Sequence, residues 1–403
     1  MQLTGKSKIK VVWLCPYPVD KLLSETAFVR RKKYHPAPWI VNSINVLKDI
    51  PEIELHVITL NAHIRKDIII DSDSVKYYIL KRGIKILSLG YPKHFRFDLF
   101  TSFYIETQRL KKILNLINPD LIHSFGSEVP YGIASLRSGF KYIFSLQGIM
   151  LKMSELFPYS LNYKLMGKIE RKTIKGCGYF MSQSTAVTDH IFSLNPSAKV
   201  FKTYYPVDNC FFEVKPIQKK TYDLVFVGNI LDKNKGFIIF FEGLRKLYIK
   251  GIKLKVAIIG NKKNDYLKLL SDLGIDNELY SSIVFHGYLT HEQIASVYSE
   301  TKVLVIPSLI ESYSMTAAEG LASEICVIAS NVGGLLDLID HHSNGLFFNS
   351  GDHLDLSSKI EEVLSDEKFR EILAKNARNS AFNRFNKDIV AHNHLKAYQS
   401  VLG

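Results

Sequence analysis

Short apolar runs alternate along this chain with longer segments in which apolar residues recur every three or four positions. The runs predict buried strands at 9–15, 54–60, 84–87, 121–124, 141–146 and 179–182 in the first half. In the second half they predict strands at 223–227, 253–259, 282–285, 302–307, 326–329 and 345–348. Helical periodicity marks 39–48, 107–117, 236–249, 291–299 and 314–323. Strands that alternate with amphipathic helices make parallel sheets covered on both faces, and two such series in a row predict two doubly wound α/β domains. The length of 403 residues fits that count, at roughly 100–200 residues per domain. The polar stretch 206–220, with Pro206, Pro216 and three lysines, reads as the linker between a domain at 1–205 and one at 221–385. A last helical segment at 386–403 has room to cross back to the first domain.

Charge distinguishes the halves. Residues 1–205 carry 30 lysines and arginines against 15 acidic residues, and residues 206–403 carry 22 against 24, within a net charge of +13. A basic half calls for an anionic partner: a nucleic acid, a membrane surface or a phosphorylated substrate. Nucleic acid is disfavoured, because no helix-turn-helix, RNA-binding signature or aromatic stacking array accompanies the charge. Two basic groups stand out, Arg30-Arg31-Lys32-Lys33 and the helically spaced Lys164, Lys168, Arg171, Lys172 and Lys175, with Leu161, Leu165 and Ile169 on another face. Basic amphipathic stretches read as elements for an anionic membrane surface, and the alternative is a solvated helix face. No run approaches the roughly 18 apolar residues of a membrane span. The apolar run 11–15 behind three lysines is too short for a signal-peptide core, so a cytoplasmic location is expected. Four scattered cysteines argue against a disulfide framework, and the histidines lack the spacing of a metal site.

In open parallel sheets ligands bind beyond the carboxyl ends of the strands, where strand order reverses. The most informative segment is 303–337. A buried strand ends at Pro307, a loop follows, and a helix begins near Ser314. The amides of Ser314, Met315 and Thr316 then form a helix N-terminus suited to a diphosphate. Glu311 precedes the helix tip and Glu319 lies within the helix, so two carboxylates flank the anion site and suit two polyhydroxyl groups. A lone glutamate in such a place is more often solvated or complements the helix dipole. The pair within one frame changes the balance.

Pro307-Ser308-x-x-Glu311-Ser312-Tyr313-Ser314, Glu319-Gly320-Leu321-Ala322, Val327-Ile328-Ala329-Ser330 and Gly333-Gly334 resemble the signature of the family 4 (group 1) retaining glycosyltransferases. Phe226-Val227-Gly228, Lys235-Gly236, Val284-Phe285-His286-Gly287, Asn344-Gly345-Leu346, Pro119 to His123 and Val207-Asp208-x-x-Phe211 match further landmarks in order. The resemblance implies a GT-B fold, α/β, with two Rossmann-like doubly wound domains facing across a cleft. It implies a nucleotide-sugar donor, UDP- or GDP-linked, with no separate cofactor and no metal. Glu311 would contact the donor sugar, Glu319 the ribose, and Lys235 the diphosphate. Gly228, Asn229, Ser314, Met315, Thr316 and Gly287 would complete the donor site. Gln147, Gly148 and His123 would face the sugar or acceptor.

Three departures bear on that assignment. Asn229 stands where the family usually has arginine, and Gln147-Gly148 where it has His-Gly. The glycine-rich first loop is replaced by the proline-stiffened 16–39, in which His35 is a candidate acid/base. The expected activity is sugar transfer to a lipid-linked or polysaccharide acceptor in cell-surface glycan synthesis. A nucleotide-sugar epimerase of the same fold and a non-catalytic binding subunit remain open on these residues.

Overall fold

The computed structural model describes residues 8–28, 37–82, 97–260, 264, 266 and 282–403. The expected strand at 84–87 lies outside them, as do His35 and Arg30 to Lys33. The chain divides into two compact units, one of the described residues up to Tyr205 with Lys387–Gly403, the other Pro206–Asn386.

Among the described residues the first unit holds eight strands: β1 (Ile9–Leu14), β2 (Ile53–Asn61), β3 (Ile68–Ser72), β4 (Val75–Lys81), β5 (Leu121–Phe125), β6 (Tyr142–Ser145), β7 (Tyr179–Ser182) and β8 (Lys199–Lys202). Their order is β3-β4-β2-β1-β5-β6-β7-β8, and only the β3–β4 pair is antiparallel. The second unit holds β9 (Tyr222–Gly228), β10 (Val256–Gly260), β11 (Ile283–Gly287), β12 (Thr301–Ile306), β13 (Cys326–Ser330) and β14 (Leu346–Phe348), in the order β11-β10-β9-β12-β13-β14. Every pairing in that sheet is parallel. Strand order reverses beside β1 in the first unit and beside β9 in the second, so each sheet has one switch point where a ligand can enter.

Eleven of the strands follow the apolar runs, because a strand covered on both faces is apolar at almost every position. The β3–β4 hairpin escapes that pattern. It turns on Asp73 and Ser74, whose φ values of 49° and 64° lie in the left-handed region usually given to glycine. Edge strand β8, Lys-Val-Phe-Lys, is short and only partly buried. The stretch expected as a linker opens with a helix, Asn209–Glu213, and docks on the second unit: Phe211 is fully buried, and Arg378 donates to the carbonyls of Phe212 and Val214.

The closing helix, Lys387–Leu402, belongs to the first unit and is fixed there by a chain of buried polar groups. The Trp13 indole N–H donates to Tyr398 Oη at 2.9 Å. Tyr398 Oη lies 2.8 Å from His123 Nδ1, and His123 Nε2 lies 2.9 Å from Ser145 Oγ. Ser145 donates its proton to the Met181 carbonyl at 3.0 Å. The direction of that last bond sets the others: Ser145 accepts from His123 Nε2–H, and Nδ1 accepts from Tyr398. His123 is therefore a neutral imidazole, and burial lowers its pKa well below the usual histidine range.

Candidate active site

The second unit gathers the predicted donor residues at the carboxyl edge of β9, β12 and β13. After β9 the chain turns through 229–236; after β12 it runs through 307–314 into the helix Met315–Ala322. The two loops lie backbone to backbone. Leu309 N–H donates to the Asn234 carbonyl at 2.8 Å, and Gly334 N–H, after β13, donates to the Glu311 carbonyl at 2.9 Å. Glycine makes this approach geometrically possible. At Gly236, with φ 66°, a Cβ would sit 1.7 Å from the Pro307 carbonyl oxygen, and at Gly333, with φ 48°, one would sit 1.9 Å from that of Glu311.

This arrangement brings Lys235 and Glu311 together, 76 positions apart in the chain: Nζ donates to Oε2 at 2.9 Å. Ser308 Oγ donates to the same oxygen at 3.3 Å. Glu311 Oε1 makes no hydrogen bond among the described residues and is left to accept from a hydroxyl. The Glu311 side chain is 11% exposed and Lys235 37%, so the pair is shielded yet reachable. Ser314 caps the following helix, its hydroxyl accepting from Ala317 N–H at 3.2 Å. The amides of Met315 and Thr316 stay in the first turn, where helix geometry provides no acceptor. Gly228 pairs with Gly260 across β9 and β10, and the exposed Asn229 turns its side-chain oxygen onto Leu231 N–H at 3.0 Å. Gly287 closes β11 with φ 70°.

Glu319 sits in the same helix under different electrostatics. It is buried, with no hydrogen bond to its carboxylate among the described residues, and burial pushes its pKa up to about 7. Two neighbours act on it: the charge of His291 draws the pKa down, and that of Asp208 raises it. His291 Nδ1 lies 3.8 Å from Asp208 Oδ2. Their contact raises the His291 pKa and, with burial opposing, holds Asp208 down to about 2. His291 opens the helix His291–Ser299 behind a capping box of Thr290 and Gln293, which fixes where its ring points. Tyr298, on that helix, has a buried hydroxyl without a hydrogen-bond partner among the described residues. Sequence reasoning missed His291. The one available signal was its place directly after the cap.

In the first unit Gln147 and Gly148 follow β6 at the carboxyl edge, and the Gln147 amide donates to Tyr205 Oη at 2.9 Å. His123 does not join them. It is fully buried, with both ring nitrogens engaged inside the Trp13–Tyr398 network, so the expectation that it contacts sugar or acceptor is corrected. Its strand places it in the core rather than in the loop beyond. Leu161 also departs from the expected pattern. It is 47% exposed, and the buried face of the helix Leu161–Gly176 is Met166, Ile169, Glu170, Thr173 and Ile174. Among the described residues no three metal-ligating side chains are gathered.

The profile of the group 1 glycosyl transferases matches residues 209–380. An uncharacterised glycosyltransferase of Methanocaldococcus jannaschii is 29% identical, over an alignment covering 44% of this chain and 44% of that relative. The N,N'-diacetylbacillosaminyl-diphospho-undecaprenol alpha-1,3-N-acetylgalactosaminyltransferase of Campylobacter jejuni is 24% identical over 84% of this chain and 92% of its own. Among solved structures, sucrose-phosphate synthase from Thermosynechococcus elongatus has the same fold, with a TM-score of 0.78 at 16% identity, over 98% of this chain and 99% of that one. HepE of Anabaena, solved with UDP and glucose, gives 0.69 at 16% identity, over 97% of this chain and 100% of its own.

Proposed function

The chain belongs to the group 1 glycosyl transferases, with their two-domain GT-B fold, and we propose that it moves a sugar from a UDP-linked donor to a lipid-linked or polysaccharide acceptor with retention of anomeric configuration. The observation that carries this reading is the Lys235–Glu311 contact at a helix N-terminus, held by glycine-permitted loop packing. UDP is the nucleotide preferred because HepE was solved with it. The acceptor class follows the diphospho-undecaprenol substrate in the Campylobacter enzyme's name.

In this reading the diphosphate lies against the Met315 and Thr316 amides with Lys235 as a point charge beside it, and both stabilise the leaving group. Glu311 Oε1 accepts from a hydroxyl of the donor sugar, and Glu319 accepts from the ribose. The bond from the sugar's anomeric carbon to the phosphate oxygen breaks, and a bond from that carbon to the acceptor oxygen forms on the same face. The leaving phosphate takes the acceptor's proton. Gln147 and Gly148 take part on the acceptor side.

The first unit supplies the docking surface for an anionic membrane, on its cytoplasmic face. Lys164, Lys168, Arg171, Lys172 and Lys175 are all exposed on one helix. Beside it Leu156, Phe157 and Leu161 are 49%, 44% and 47% exposed, and Tyr159 is fully exposed, which offers apolar side chains to the acyl boundary. No described helix is long and apolar enough to cross a membrane.

The test supplies UDP-sugars with and without an undecaprenyl-diphosphate-linked saccharide and follows UDP release. UDP appears only with acceptor, the product keeps the donor's anomeric configuration, and Glu311→Ala lowers the rate by roughly 100-fold or more. Wild-type rate in Glu311→Ala would sink the assignment. Release of UDP without any transfer product would favour hydrolysis or epimerisation instead.

A further inference from the structure

Glu170 is a fully buried acid in the first unit that the chemistry above does not use. It lies in the middle of the helix Leu161–Gly176, and both of its oxygens are occupied. Oε2 accepts from Ser127 Oγ at 2.6 Å and from Met150 N–H at 2.9 Å. Oε1 accepts from Leu151 N–H at 3.1 Å and lies 3.0 Å from His190 Nε2. One carboxylate thereby ties four segments together: the loop after β5, the start of the helix Met150–Leu156, its own helix, and the helix Thr185–Leu194 that carries His190.

The two amides matter most, because only one residue separates them from Gln147-Gly148. The amides opening a helix have no partner within it, and at Met150 and Leu151 Glu170 supplies one. A buried carboxylate is a costly way to hold a loop unless its shape matters, and here three of its contacts are donors and the fourth is an imidazole nitrogen, a set that suits a carboxylate acceptor. We propose that Glu170 is the positioning residue for the acceptor loop 147–151, and that His190 holds the carboxylate in register by donating Nε2–H to it. This rests on the reading that Gln147 and Gly148 face the acceptor.

The test uses the full-length chain. Glu170→Gln keeps the shape but turns one acceptor oxygen into a donor facing N–H groups. Hydrogen exchange at Met150 and Leu151 is expected to quicken at least tenfold in Glu170→Gln, while the helix Leu161–Gly176 and the stabilisation by added UDP stay as in the wild type. His190→Ala should quicken it less, and His190→Gln, which retains a donor, should restore protection. With UDP-glucose and an undecaprenyl-diphosphate-linked monosaccharide, Glu170→Gln should raise KM for the acceptor several-fold and change KM for the donor little. Unchanged exchange at Met150 and Leu151, or exchange quickened evenly through the first unit, overturns the positioning role. A loosened loop with an unaltered acceptor KM instead overturns the placement of the acceptor at 147–151.

Discussion

Glu319 is the residue at which the proposed function and stability pull in opposite directions. Burial raises its pKa to about 7, above the ordinary value of 4.5, so the folded protein retains a proton that the unfolded chain releases between those values. Below pH 4.5 the carboxyl has no stability cost; as pH rises through 7 the native state loses about 3 kcal/mol on its account. The raised His291 pKa acts in the same direction, since the stability it confers is present below the ordinary histidine range and lost as pH rises through the folded value. Glu319→Gln should therefore raise the second unit's denaturant midpoint at pH 8 and change it little at pH 4.5. The same substitution should weaken UDP binding at pH 8, where the wild-type carboxylate is ionised and able to accept from the ribose. Wild-type affinity should fall as pH drops from 8 to 6, and the Glu319→Gln affinity should stay flat. The sequence frame was enough to nominate Glu311, Lys235 and Glu319, because loop and helix stand in order along the chain. It could not show that Lys235 reaches Glu311, which depends on contacts between loops from two strands, nor that His123 is enclosed.

Elements were legible where burial writes an unbroken apolar run, as at β9, β12 and β13. They were illegible where conformation is imposed from outside, as at the β3–β4 turn, where Asp73 and Ser74 adopt positive φ without glycine. Two elements are predicted to be sensitive to single atoms. Tyr398→Phe removes the hydroxyl that joins Trp13 to His123, leaving a buried indole N–H and a buried imidazole nitrogen unpaired. Equilibrium unfolding should show a loss of about 1–3 kcal/mol in the first unit. Gly236→Ala drives a Cβ into the Pro307 carbonyl at a backbone angle that L-residues avoid. It should lower the stability of the second unit by about 1–2 kcal/mol and reduce transfer further, because Lys235 shifts away from Glu311.

At the scale of the whole molecule, the two units are predicted to answer pH in opposite senses. The first contains His123, with its pKa well below the usual range, and His394, held down to about 4 by burial. Both are neutral when folded and take up protons on unfolding as pH falls below about 6.5, so the first unit loses stability toward acid, on the order of 3 kcal/mol from His394 alone. Glu319 makes the second unit more stable over the same range. Scanning calorimetry at pH 8 and pH 5 should show two transitions shifting in opposite directions, and UDP should identify the second unit's by raising it. A single transition moving one way would contradict this. The uneven charge of the sequence belongs to the same scale. Replacing Lys164, Lys168 and Lys172 with glutamine should weaken binding to phosphatidylserine vesicles roughly fivefold per residue.

In the proposed function the loops after β9 and β12, together with Glu319, form the site for a UDP-sugar. Calorimetric titration of UDP into the wild type and Glu319→Ala tests it most directly. One UDP should bind per chain, at least tenfold more weakly in Glu319→Ala, a difference of about 1.4 kcal/mol or more. No binding to the wild type, or equal affinity in the two proteins, would overturn that placement of the donor.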